Sequence, residues 1–234
     1  MIDPLDEAFR FGRGVFETVL VQEGRALLRT EHVDSMNEAA VALGLDNGRI
    51  DPGDPPGTLG IWRWTLTPLQ FLTTWVDGVE ETEHVELGLS KLRVCSTSWE
   101  ARYKTLSYLL QIQAREESAT GWDVLLNENG CLAGATMANL FWVKHGTIFT
   151  PAATCGCRNG AVRRWILGQY EGVEEVEDTC DVLDGADEIF LTNSRIGITP
   201  VMRWKERQMA VGSLCREMRE RYGRMVGNFQ GAKR

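Results

Sequence analysis

Lys104 stands in the run Arg102-Tyr103-Lys104-Thr105-Leu106-Ser107-Tyr108-Leu109. An amine that attacks a carbonyl must be uncharged at that moment, so it needs a desolvated or cationic neighbourhood. Arg102, Tyr103 and Tyr108 can supply such a setting, although a lysine just ahead of a helix is ordinarily a solvated surface charge. A second group lies downstream, in Gly156-Cys157-Arg158-Asn159-Gly160-Ala161-Val162-Arg163. There a glycine-flanked turn leads into a helical pattern, and the unpaired N–H groups of Gly160, Ala161 and Val162, backed by the helix dipole, can face an anion. Thr192-Asn193-Ser194 offers hydroxyl donors after a strand-like run; alone, it reads as a turn. Arg63, between Trp62 and Trp64, can hold a carboxylate in bidentate fashion or sit solvated on an exposed strand face. His32, His84 and His145 show no metal-ligand spacing and read as structural or solvent-exposed. Cys155-Gly156-Cys157 reads as small buried loop residues, so no metal is expected.

The elements that must position these residues follow from periodicity. Val15 to Val21 alternates, turns at Gln22-Glu23-Gly24 and continues into a strand at 25–28. From Thr30 to Leu45 the apolar spacing is helical, with Thr30 as N-cap and Gly44 near the end. Asp46 to Thr58 is a Gly/Pro-rich loop, and Gly60 to Leu66 a strand. Thr67-Pro68 then starts a helix with Leu69, Leu72, Trp75, Val76 and Val79 on one face. Val85 to Cys95 alternates again, and a helix runs from Ser107 to Ala119. Strands at 123–127, 131–136, 139–144 and 147–149 form a meander whose turns, Asn129-Gly130 and His145-Gly146, supply positive φ. A helix at 161–169, a strand near Val173, a short helix from Thr179, strands at 188–192 and 198–202, and a helix at 213–226 complete the chain.

Composition narrows the class. With 43% hydrophobic and 25% charged residues and eight Trp, the 234-residue chain reads as soluble and globular. Its apolar runs are too short for a bilayer, so no membrane partner is expected. No signal peptide is legible at the start, which makes the cytoplasm the expected compartment. The six cysteines read as reduced thiols. A formal charge of −8 excludes a general polyanion binder, so no nucleic acid is expected and any phosphate needs a local site.

The lysine run, the later Ala138-Asn139-Leu140-Phe141, Thr150-Pro151 and the turn into Arg163 together resemble the class IV aminotransferase family, the fold type IV pyridoxal-phosphate enzymes. Lys104-Thr105-Leu106-Ser107-Tyr108-Leu109 is closest to the lysine motif of aminodeoxychorismate lyases. The resemblance spans Phe11-Gly12 to Gly212, matching poorly between residues 46 and 95. It implies an α+β, two-domain architecture resembling D-amino-acid aminotransferase: a small N-terminal domain at 1–95, a linker at 96–101, and a larger C-terminal cofactor domain with a β-meander or barrel core at 102–234, the site lying between the domains. It implies that Lys104 carries pyridoxal 5'-phosphate as a Schiff base and shuttles protons. Asn139, Gly160, Ala161, Val162, Thr192, Asn193 and Ser194 would hold the cofactor. Thr18 would face the site as a catalytic residue, and Arg63 would bind an amino or chorismate-type carboxylate substrate. A homodimer is implied as well.

Three positions depart from the family's pattern. The His-x-x-Arg whose arginine clamps the cofactor phosphate reads His32-Val33-Asp34-Ser35. The glutamate expected five residues before Asn139, partner of the pyridine nitrogen, is Gly134. The family's FGDG is Phe11-Gly12-Arg13-Gly14, which places a new cation close to the entrance; the sequence leaves open whether it compensates for Ser35. Two functions follow: a lyase or aminotransferase working through Lys104, or a non-catalytic relative that binds a ligand or protein.

Overall fold

A computed structural model describes residues 3–45 and 50–227, which divide by contacts into two units. The first comprises residues up to Glu80 together with Tyr103–Tyr108. In it, Asp6 caps α1 (Glu7–Phe11) by accepting from the Ala8 N–H, and Gly12 closes the helix with φ 70°. β1 (Val15–Gln22), β2 (Arg25–Ala26), α2 (Arg29–Ala42), β3 (Leu59–Leu66) and β4 (Phe71–Asp77) follow. The sheet runs β2-β1-β3-β4, antiparallel throughout. Alternate residues of a strand share a face, so Val15, Val19 and Val21 of β1 meet Met36, Ala39 and Ala40 of α2, with Trp62, Trp64 and Leu66 from β3.

Beside the start of β1 lies the lysine segment. The Phe16 N–H donates to Lys104 O at 2.8 Å, and Val15 bridges to Thr105. The Leu106 N–H donates to Gly14 O at 2.9 Å. Gly14 must be glycine for this approach: a Cβ there would stand 2.6 Å from Leu106 Cδ1 and 2.7 Å from Leu66 O.

The expected helix from Thr67-Pro68 is instead strand β4. Thr67 Oγ1 accepts from the N–H groups of Leu69 and Gln70, which reverses the chain so that Phe71 pairs with Leu66. The aromatic and β-branched residues that follow suit a pleated strand, and their apolar spacing only imitated a helical face. Nor is Thr30 an N-cap: α2 starts at Arg29, behind Leu28 in a left-handed conformation without a side-chain cap. Of the expected loop, residues 46–49 lie outside the described residues, and 50–58 contain neither helix nor strand.

The second unit holds residues 81–102 and those from Leu109 on. Its elements are β5 (Val85–Val94), α3 (Trp99–Arg102), α4 (Leu109–Glu117), β6 (Asp123–Asn127), β7 (Leu132–Ala135), β8 (Asn139–Lys144), β9 (Thr147–Pro151), α5 (Ala161–Gln169), β10 (Val173–Val176), β11 (Glu188–Asn193), β12 (Gly197–Trp204), β13 (Arg207–Gln208) and α6 (Ser213–Val226). The sheet runs β10-β9-β8-β11-β12-β5-β6-β7, with β13 on β12. Positive φ at Gly130, His145 and Gly146 makes the tight turns of the meander. Because β5 pairs in parallel with β12 and β6, it belongs to this unit rather than to residues 1–95, and α3 occupies the second half of the stretch read as a linker. Leu132, Leu140, Trp142, Leu183, Leu191 and Trp204 form its core. Among the described residues, no helix is long and apolar enough to cross a membrane.

Candidate functional site

In the first unit Lys104 Nζ lies 3.6 Å from Glu17 Oε2, an ion-pair distance too long for a hydrogen bond. Glu17 occupies the α2-facing side of β1, and its side chain is 6% exposed. The same oxygen is 2.7 Å from His32 Nδ1, and Ser35 adds a hydrogen bond to the carboxylate. His32, Ser35, Met36 and Ala39 recur at helical spacing, which turns them toward β1. Burial alone would raise the Glu17 carboxyl, but the Lys104 charge, His32 and the hydrogen bonds from His32 and Ser35 outweigh it and hold the group at about 2. The amine was expected to have a cationic or desolvated setting. Its charged neighbour is this fixed anion, while Arg102 is exposed at the end of α3.

On the other side of β1, Thr18 faces Arg63 across the β1–β3 pair. The Arg63 guanidinium lies 3.8 Å from the Phe16 ring centroid, and Lys104 Nζ lies 5.2 Å from the same centroid. Tyr108 packs edge-on against this ring at 5.1 Å. Burial lowers the Arg63 pKa and Tyr108 opposes the shift; no carboxylate of the described residues pairs with it. Thr18, Arg63 and Lys104 are thus gathered around Phe16. Arg13 is not near Ser35. It pairs with Glu7 and donates to Leu43 O and Gly44 O at 3.2 Å, serving the C-terminal carbonyls of α2. Leu43 is eight residues beyond Ser35, about 12 Å along a helix.

In the second unit Asn139 opens β8 and sits opposite Thr192 of β11. Its Nδ2 donates to Arg158 O at 2.5 Å. Gly160 is the N-cap of α5, extended at φ −65° and without a side-chain cap bond. A Cβ on Gly160 would lie 2.5 Å from Asn139 Oδ1, so the helix start and this amide touch only because the residue is glycine. The first N–H groups of a helix have no partner within it, which leaves Ala161 and Val162 offering donors at that point. Thr192 Oγ1 is fully buried and has no hydrogen-bond partner among the described residues. Asn193 is engaged by its own turn: Oδ1 accepts from the Arg195 and Ile196 N–H groups, and Nδ2 donates to Met137 O. Ser194 is half-buried beside it.

Arg163 is buried and donates to Asn159 Oδ1 and Pro151 O while pairing with Glu175, so its charge belongs to the scaffold. Gly134 has φ 143°, and a Cβ there would stand 3.2 Å from Ala138 O. Glu128 does not supply the missing acid; its carboxylate accepts from the Ser96 N–H and Oγ. Burial raises the thiols of Cys155, to about 11, and of Cys157. Among the described residues no group of His, Cys, Asp or Glu is placed to hold a metal.

Glu17 was not singled out in the sequence, and His32 was read as structural or exposed. The available signal was a charged residue at an inward position of an alternating strand, where unpaired charges are rare.

The family model described as amino-transferase class IV matches residues 66–204, more than half of the chain. A D-alanine aminotransferase of Bacillus licheniformis is 24% identical over 86% of this chain and 82% of its own length. An aminodeoxychorismate lyase of Vibrio harveyi is 26% identical over 84% of each. An aminotransferase from Brucella abortus, solved bound to the cofactor PLP, superposes with a TM-score of 0.81 at 18% identity, covering 97% of this chain and 93% of that one. The mixed α/β fold expected from the sequence is therefore the fold observed.

Proposed function

The chain belongs to the class IV aminotransferase family, and from that premise we propose that it is a pyridoxal-phosphate-dependent lyase resembling aminodeoxychorismate lyase, or an aminotransferase of the same class. The observation that carries the reading is a paired deficit in the second unit: an uncapped helix start at Gly160 and a buried, partnerless hydroxyl on Thr192, both adjoining Asn139. That is a receptor for an anion, and it fits the phosphate of the cofactor. Ala161, Val162 and Thr192 would hold the phosphate; the Gly160 N–H, expected to be unpaired, donates to Arg158 O at 3.0 Å, so Gly160 would shape the turn together with Asn139, Asn193 and Ser194.

Lys104 would supply the amine that holds the cofactor and would move the proton at the substrate carbon. When bound, pyridoxal phosphate supplies the electron sink for that carbon. Gly134 places no carboxylate against the ring nitrogen, so slow turnover is expected. Arg63, half-buried and paired with no carboxylate among the described residues, would take the carboxylate of an amino-acid or chorismate-type substrate, with Thr18 beside it. Loss of the clamp at Ser35 and of the acid at Gly134 does not favour a non-catalytic protein, because the amine, Asn139 and the helix start are all retained. We place the protein in the cytoplasm as a homodimer, a state light scattering would read directly.

Titration with pyridoxal phosphate tests the proposal. A visible absorption band should appear, and borohydride followed by peptide mass spectrometry should find a reduced adduct on Lys104. An unmodified Lys104 at saturating cofactor would overturn the reading.

A further inference from the structure

We infer that Glu17 is the positioning residue for Lys104: its carboxylate parks the amine as a paired ammonium, and Nζ becomes available to a carbonyl only on leaving Oε2. Three contacts make this more than a chance ion pair. His32 Nδ1 sits 2.7 Å from the same oxygen that faces Lys104, and His32 is itself 2% exposed, so it fixes where that oxygen points. Ser35 adds its hydroxyl from the next turn of α2. The lysine segment is pinned from behind by the bond from Phe16 N–H to Lys104 O, which leaves only the side chain free to move.

The other groups facing the amine do not compete for this role. Arg63 lies over the same Phe16 ring, and a second cation repels an ammonium rather than holding it. Tyr108 packs edge-on against that ring, and Thr105 Oγ1, buried and without a hydrogen-bond partner among the described residues, carries no charge. Ser35 matters for the same reason. An arginine at that position would present a guanidinium to the carboxylate already bonded to the Ser35 hydroxyl, and would compete with Lys104 for it.

The inference deepens the role given to Lys104 above. Its test contains no pyridoxal phosphate, so its failure is distinguishable from failure of the cofactor reading. Reductive methylation with formaldehyde and cyanoborohydride at fixed neutral pH, read by peptide mass spectrometry, gives the rate at Lys104 relative to Lys91 and Lys205. Glu17→Gln should raise that relative rate several-fold, because the amine no longer has a carboxylate to pair with and is free to meet the reagent. Glu17→Asp, which keeps the charge, should stay closer to the wild type than to Glu17→Gln. Ser35→Arg should also raise the rate, and this arm stands even if Glu17→Gln does not fold. A Lys104 rate that is unchanged in folded Glu17→Gln, or unchanged in Ser35→Arg, overturns the inference, as does Glu17→Asp behaving like Glu17→Gln.

Discussion

Gly134→Glu puts back the family's missing acid, yet the backbone it must occupy makes that restoration costly. Gly134 has φ 143°, where L residues are strained, and lies in β7 paired with Leu125. Forcing a side chain into such a conformation costs about 1–3 kcal/mol. The Cβ would also press on Ala138 O at 3.2 Å, and that carbonyl accepts the Ala135 N–H, so relief by movement would loosen the turn between β7 and β8. At about 2–4 °C per kcal/mol for a chain of this size, the melting temperature should fall by about 2–12 °C. Gly134→Ala isolates the backbone strain, and the Glu variant should melt lower still because it buries a carboxylate. Scanning calorimetry of both variants, with and without pyridoxal phosphate, reads the two effects separately. If the new carboxylate meets the ring nitrogen, the cofactor should raise the melting temperature of the Glu variant more than that of the Ala variant, and turnover should rise with it. A Gly134→Ala protein melting within about 1 °C of wild type would refute the strain argument.

Acid should weaken the first unit through Glu17. Its carboxyl is held at about 2 against an ordinary 4.5, so its contribution is present above 4.5 and is lost as pH falls from there toward 2. The shift corresponds to roughly 3 kcal/mol; the stability gap between wild type and Glu17→Gln, measured by urea unfolding, should close over that interval, and a constant gap would contradict the assignment. Arg13→Ala should cost less than about 1 kcal/mol, as an exposed ion pair and helix-end contact do, and should leave cofactor affinity untouched. Weaker cofactor binding in that variant would mean that Arg13 reaches the phosphate after all. Gly160→Ala puts a Cβ 2.5 Å from Asn139 Oδ1 and must displace that amide from Arg158 O. Loss of a hydrogen bond of about 1–1.5 kcal/mol predicts cofactor binding weaker by about tenfold, and unchanged affinity by absorption titration would remove Gly160 and Asn139 from the phosphate site.

What could be read ahead of the fold was what local chemistry decides. Helix α5 begins and ends at the expected residues because Gly160 precedes an amphipathic run, and the meander turns where positive φ is required. Strand β4 was misread because the decisive interaction, the Thr67 hydroxyl closing a reverse turn, leaves no periodic trace. The role of Arg13 stays open in the sequence for a related reason: a cation near the motif has no address until α2 ends beside it. Glu17 shows the same limit at the site itself. Its inward position on β1 is local, but its partner Lys104 arrives from a distant segment, and its other partners come from α2. The meaning of Ser35 therefore changes between sequence and fold. In the sequence it is a lost charge; in the fold its hydroxyl helps keep the buried Glu17 carboxylate ionised. The missing arginine and the pairing of Glu17 with Lys104 are then two sides of one arrangement, because a buried carboxylate without a guanidinium beside it must find its cation elsewhere, and the ammonium within ion-pair distance is that of Lys104.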